Sequence, residues 1–291
     1  MAQTSIVTIV KASIGAGAPS YAKQALDKYR AERGVTPEYL EALSVMGRAA
    51  LNAKDYAAAE RNAAEVRRLS LEQLAHRKID AEPSLPLALG ASIEVAAQCA
   101  AAQGRRDEAV SFLQAEAKHW AGSSLAARIQ KNLNLLTLEG KPAPELDVSH
   151  ALTDRKPLTL LAHRGHPVLL FFWAHWCSDC KAEIAIMAKL EQTYGPRGLV
   201  VVAPTQHYGY AAGGAEASPA AETQYARSVY AQYYASLGPV EVPLSAANFV
   251  NYGVSTTPTL ALVDAHGIVR LYHPGNLDYD ALAARIGPLL H

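Results

Sequence analysis

Two patterns of apolar and polar positions meet near residue 140. Up to Leu138 the chain is Ala-rich, and its apolar residues recur every three to four positions, which predicts helices of roughly 12–20 residues. Thr36 and Pro37 read as the N-cap and first residue of one helix, which carries Leu40, Leu43, Met46, Gly47 and Ala50 on one face. Asp55 opens a second, with Tyr56, Ala59 and Ala63 turned inward. The arrangement recurs further on. Ile93, Ala96, Ala97 and Ala100 line one helix, and after Gly104 another starts near Ala109 and continues through Leu113 and Ala117. A last helix is expected over 124–138. Gly140-Lys141-Pro142-Ala143-Pro144 then marks a boundary, since each Pro disfavours helix at the residue before it. The expected domains are therefore 1–140, all-helical, and 141–291.

The second region alternates differently. Residues 167–173 form an uninterrupted apolar run, as in a central strand covered on both faces. The spacing predicts a helix over 177–194, a second buried strand over 198–203, a long loop over 208–221 and a Tyr-rich helix over 222–237. Strands at 259–263 and 268–273, joined by Asp264-Ala265-His266-Gly267, make a hairpin before a closing helix at 277–290. The fold class is α/β, a mixed sheet with flanking helices, preceded by an all-α domain.

Composition narrows the function. The chain has 291 residues, 27 Lys+Arg against 27 Asp+Glu, and a pI near 7.2. Such neutrality argues against nucleic-acid or polybasic membrane binding, which need clustered basic excess. No stretch is expected to span a membrane, which takes roughly 18 or more apolar residues. The apolar run at 5–10 has no basic region ahead of it and is not read as a signal peptide; Met1-Ala2-Gln3-Thr4 would suit a mature chain given a new initiator Met. Three Cys are too few for a disulfide-built scaffold.

Their placement carries the chemistry. Cys177-Ser178-Asp179-Cys180 sits where the buried strand hands over to a helix. At a helix N-terminus Cys177 meets free backbone N–H groups and the positive end of the dipole, which stabilise a thiolate. Cys180 falls on the same face, within disulfide reach. Cys177 can then form a mixed disulfide that Cys180 resolves. Half a zinc site is one alternative, but the sequence has no second C-x-x-C or paired His motif. A purely structural disulfide is another. Cys99, in an apolar helix, reads as a small core residue.

This stretch resembles thioredoxin-fold proteins, and 142–291 resembles their TlpA-like (redoxin) branch. The resemblance rests on Gly140-Lys141-Pro142-Ala143-Pro144, Gly165-His166-Pro167-Val168-Leu169-Leu170, Trp176-Cys177-Ser178-Asp179-Cys180, Glu183, and Thr256-Thr257-Pro258-Thr259. It implies a thiol–disulfide oxidoreductase that reduces protein disulfides, with Cys177 as nucleophile and Cys180 as resolving thiol. It also implies a cis Pro258 that turns the Thr257 backbone toward the dithiol, where Trp176 and the Thr257–Pro258 turn would bind substrate. No metal or organic cofactor is implied; electrons would come from another dithiol protein, in a bacterial extracytoplasmic compartment. The sequence departs from the family twice. Phe171 stands where many thioredoxins place a buried Asp, and Ala203-Pro204-Thr205-Gln206-His207 offers no carboxylate near the dithiol. Proton transfer then falls to water, Gln206, His207 or Glu183. Ser178 and Asp179 tune the poise: Asp179 should disfavour the Cys177 thiolate and give a reducing potential, which a protonated His175 would partly offset.

Other readings stay open. The helix pairs resemble tetratricopeptide repeats through Gly47, Tyr56 and Ala59, then Ala97, Gly104 and Ala109, although Ala59 and Ala109 imply an insertion at 70–86. A generic helical hairpin bundle fits as well. Tyr225, Tyr230, Tyr233 and Tyr234 form a stripe that packs a helix on the sheet or docks substrate. Arg105-Arg106 reads as a solvated turn. A thiol peroxidase is the second enzymatic possibility, though the residues ahead of Cys177 lack its Pro-x-x-x-Thr-x-x-Cys pattern. In a third, the helical domain recruits a protein partner.

Overall fold

The structure is a computed structural model that describes residues 5–290. Met1-Ala2-Gln3-Thr4, and with them the mature-type start, lie outside the described residues. The chain divides into two compact units, Met1–Leu133 and Asn134–His291.

The first unit is helical throughout: α1 (Ile6–Gly15), α2 (Pro19–Arg33), α3 (Pro37–Asn52), α4 (Tyr56–Leu74), α5 (Ser84–Ala102), α6 (Arg106–His119) and α7 (Ala126–Thr137), whose last turn belongs to the second unit. Thr36 and Asp55 cap α3 and α4, accepting from the Tyr39 and Ala58 backbone N–H groups. Three helical hairpins share one turn. Gly17, Lys54 and Gly104 adopt φ of +72°, +61° and +80°. Each N–H bonds three residues back, to Ile14, Leu51 and Ala101, and the next N–H bonds five back, to Ser13, Ala50 and Ala100. This is the Schellman closure, which satisfies the last helical carbonyls. The first hairpin, α1–α2, was not anticipated from the apolar spacing. Within the second, a Cβ on Gly47 would lie 3.4 Å from Asn62 Cβ, so α3 and α4 run backbone to backbone.

One expectation is corrected by α5. By length and composition it could cross a membrane, with mean hydropathy 1.4 over an 18-residue window, yet 67% of that window is buried. It is the core helix of the unit, burying Leu85, Leu89, Ile93 and Cys99 among others. Its apolar character comes from being surrounded by neighbouring helices.

The second unit is built on β1 (Val168–Phe172), α8 (Ser178–Tyr194), β2 (Val200–Val202), α9 (Pro219–Tyr233), α10 (Ala246–Asn251), β3 (Thr259–Val263), β4 (Val269–Pro274) and α11 (Tyr279–Ile286). The sheet order is β2-β1-β3-β4. β1 pairs parallel with β2 and antiparallel with β3, and β3 pairs antiparallel with β4. All five residues of β1 are buried, because both sheet faces are covered. Leu169 and Phe171 point to a core closed by α8, α9 and α11; Val168, Leu170 and Phe172 point to a second, closed by Phe249 and Tyr252. Each such side chain contributes roughly 1.5–3 kcal/mol by burial. β2 is shorter than expected, and the pairing continues beyond it through bridges from Val202 to Glu241 and from Thr205 to Leu244. The short α10 and this 241–244 edge were not anticipated either.

Candidate active site

The apolar run of β1 ends in a loop, 173–177, that delivers Cys177 to the N-terminus of α8. Trp173 is fully buried; its indole N–H donates to the Ala203 carbonyl at 3.0 Å, and its own carbonyl accepts from the Thr205 hydroxyl at 2.9 Å. Its ring packs on Tyr234 with centroids 4.3 Å apart. The loop is therefore anchored on the chain that follows β2. Cys177 is the N-cap of α8: its Sγ accepts from the Cys180 backbone N–H at 3.0 Å. A free helix N–H thus points at the sulfur, the arrangement that favours a thiolate.

Cys177 and Cys180 are joined as a disulfide. Cys177 keeps 3% exposure and Cys180 none, so the first sulfur is the approachable one. Beside it Trp176 is 48% exposed. The Thr257–Pro258 peptide bond is cis, and the Thr257 carbonyl oxygen lies 3.4 Å from Cys177 Sγ. The structure thus brings Trp176, Cys177, Cys180 and Thr257 to one place, with Ser178 and Asp179 exposed on the first turn of α8. Asn276 donates to the Asp179 carbonyl at 3.2 Å, tying that turn to the loop after β4.

The expected proton-transfer groups take different positions. The buried carboxylate of Glu183 accepts from the Asn276 side chain at 2.8 Å and the Leu277 N–H at 3.1 Å. Burial pushes this carboxyl above its ordinary range, against the pull of those two donors. His207 is exposed and hydrogen-bonds Thr223 at 2.8 Å; Gln206 is half-buried beside it. Among the described residues no group of His, Cys, Asp and Glu is arranged to hold a metal ion. Cys99 is buried, and burial raises its thiol pKa. The tyrosine stripe divides: Tyr234 is buried and Tyr225 and Tyr230 half-buried against the core, whereas Tyr233 turns outward, under the Lys181 ammonium 4.6 Å from its ring centre.

One carboxylate escaped the sequence reading. Glu222, in the first turn of α9, is buried against His175 of the active-site loop, their side chains 3.1 Å apart. In the sequence it reads as an ordinary acidic residue complementing a helix dipole after Ser218-Pro219.

Residues 138–281 match the Redoxin family. The chain is 28% identical over 139 residues to Thioredoxin-like protein YneN of Bacillus subtilis, covering 48% of this chain and 73% of that protein. It is 28% identical over 130 residues to Thiol-disulfide oxidoreductase ResA of Bacillus thuringiensis subsp. konkukian, covering 45% of this chain and 66% of that protein. Among solved structures, a putative thiol:disulfide interchange protein DsbE from Chlorobium tepidum aligns at 27% identity and TM-score 0.42, over 53% of this chain and 98% of that one.

Proposed function

Because residues 138–281 form a Redoxin-family domain of thioredoxin-like fold and the protein belongs with the thiol–disulfide oxidoreductases, we propose that Cys177 is its nucleophile and Cys180 its resolving thiol in the reduction of protein disulfides. The observation that carries this is Cys177 Sγ at the α8 N-terminus, accepting a backbone N–H, beside the Thr257 carbonyl. The Cys177 thiolate attacks one sulfur of a substrate disulfide and expels the other as a thiolate. Cys180 then attacks Cys177 Sγ, releases the substrate's second thiol and leaves the Cys177–Cys180 disulfide. Two electrons pass to the substrate, and an upstream dithiol protein restores the pair. Trp176 and the backbone at Thr257–Pro258 receive an extended substrate segment. Ser178 and Asp179 tune the poise toward the reducing end, and water, Gln206, His207 or Glu183 carries protons. Replacing the resolving thiol tests the order of attack: Cys180→Ser should accumulate mixed disulfides through Cys177. Adducts that persist when Cys177 is replaced as well would overturn it.

The peroxidase alternative has no specific support. The compartment follows from the same family membership: exchange outside the cytoplasm, where protein disulfides persist. The three like turns at Gly17, Lys54 and Gly104 support a unit of repeated helical hairpins, tetratricopeptide-like in arrangement.

A further inference from the structure

The exchange chemistry above makes no use of the buried pair His175–Glu222. Both side chains are 1% exposed, and His175 Nε2 lies 3.1 Å from Glu222 Oε1. The same carboxylate accepts the backbone N–H of Tyr208 on Oε1 and that of Gly209 on Oε2. The Oε1 that accepts the Tyr208 N–H is thus within hydrogen-bond distance of the imidazole as well. Among the described residues no Lys or Arg pairs with Glu222; its partners are two backbone N–H groups and the imidazole. His175 Nδ1 is buried without a hydrogen-bond partner among the described residues. The edges of Tyr208, Tyr210 and Tyr225 close around the ring with centroids 5.6, 5.5 and 5.2 Å away.

These contacts lead to the dithiol. His175 is two residues before Cys177. Tyr208, whose N–H is held by Glu222, also meets the Trp176 ring edge-on at 5.5 Å. One carboxylate thus fixes both the loop that carries Cys177 and the aromatic wall against its exposed neighbour Trp176. A buried carboxylate is costly unless it is hydrogen-bonded, so the contacts of Glu222 have little freedom to drift.

The geometry points to Glu222 and His175 as positioning residues for the dithiol. The pair locks segment 205–210 onto the 173–177 loop and holds Trp176 and Cys177 in the geometry that exchange requires. The groups that face it are Tyr208 and Tyr210 from the loop after β2 and Tyr225 from α9; Trp176, from its own loop, meets Tyr208. The inference rests on Cys177 being the nucleophile.

The test compares Glu222→Gln, Glu222→Ala, His175→Phe and the double variant Glu222→Gln/His175→Phe in the full chain. Each should lower insulin-disulfide reduction about tenfold, and the double variant should be no worse than the singles, as for residues acting as one unit. The pH profile of Cys177 alkylation by iodoacetamide in the reduced protein should also move, by about half a unit or more. A merely structural role would shift the unfolding midpoint and leave that profile in place. Glu222→Gln keeps an acceptor for one of the two backbone N–H groups, so it carries the test if Glu222→Ala does not fold. Folded variants whose exchange rate and alkylation profile match the parent overturn the inference. Cys177→Ser is run alongside: if it still turns over, the nucleophile assignment has failed instead.

Discussion

The two units bury carboxylates in opposite ways. In the helical unit Glu94 projects from the middle of α5 and is met by Arg48, Arg128 and Lys131 at 3.1, 2.7 and 3.1 Å. Burial alone would raise its pKa, but the three cations outweigh that and draw it down to about 2. In the redox unit Glu183 is held by an Asn side chain and a backbone N–H, and Glu222 by two backbone N–H groups and a histidine. No Lys or Arg pairs with either among the described residues. Full cationic pairing fixes Glu94 in one ionisation state and makes it a clamp between α3, α5 and α7. Held by amide groups alone, Glu183 is left to the pull of burial, which raises its pKa. The contrast separates a charge kept for architecture from charges kept within reach of chemistry.

The largest effect expected from breaking that contrast is at Glu94. Glu94→Gln strands three cations around a neutral group and should cost about 3 kcal/mol of stability, as removal of one partner from a buried ion pair does. Disulfide exchange per folded molecule should stay at the parent rate. The pH dependence has a definite sign. The folded pKa, about 2, lies below the ordinary 4.5, so the stabilisation is complete above pH 4.5 and is lost as pH falls through 2. Urea midpoints of parent and variant should therefore differ by a constant amount from neutral pH down to about 4.5 and converge toward pH 2. A difference that vanishes already at neutral pH would show that Glu94 is no clamp.

The sulfurs draw the same line at smaller cost. Cys99 is packed among Ala59, Ala63 and Val95, with its thiol pKa raised by burial, while Cys177 sits on a helix N-terminus. Cys99→Ala removes one buried sulfur and should lower stability by about 1 kcal/mol, with exchange activity unchanged. In the folded, reduced protein, iodoacetamide should modify Cys177 and leave Cys99 untouched. Rapid Cys99 labelling without unfolding would erase the distinction.

What could be read from the sequence follows the range of the interactions. β1, α8 and the dithiol were legible because the apolar run over 167–173 and a C-x-x-C spacing are local patterns. The α3 and α4 caps were legible for the same reason. The α1–α2 hairpin was not, because its turn rests on Gly17 alone and its polar α2 buries few residues. α10 has six residues, fewer than two helical turns, so it leaves little periodicity to detect. Glu222 reaches His175 across 47 positions, and no local spacing announces such a contact. Glu183 was singled out by the family resemblance, but its partners, Asn276 and Leu277, lie 93 and 94 positions away. Tyr233 left its stripe, half-exposed under Lys181, while its neighbour Tyr234, the C-cap of α9, is buried.

Glu183 gives the smallest effect and the finest test of the contrast. Burial raises its pKa, so the folded protein holds a proton more firmly than the unfolded chain does. Stability then falls as pH rises from the ordinary carboxylate value through the raised one, the reverse of the behaviour at Glu94. Glu183→Gln removes the titration and keeps an acceptor for the Leu277 N–H. The variant's urea midpoint should therefore vary less with pH across that window, and the two curves should approach each other on the acid side, where the parent carboxyl is protonated. Parallel curves would mean that Asn276 and Leu277 offset the burial and Glu183 titrates alike in the folded and unfolded chain, and the distinction between the two units would rest on Glu222 alone.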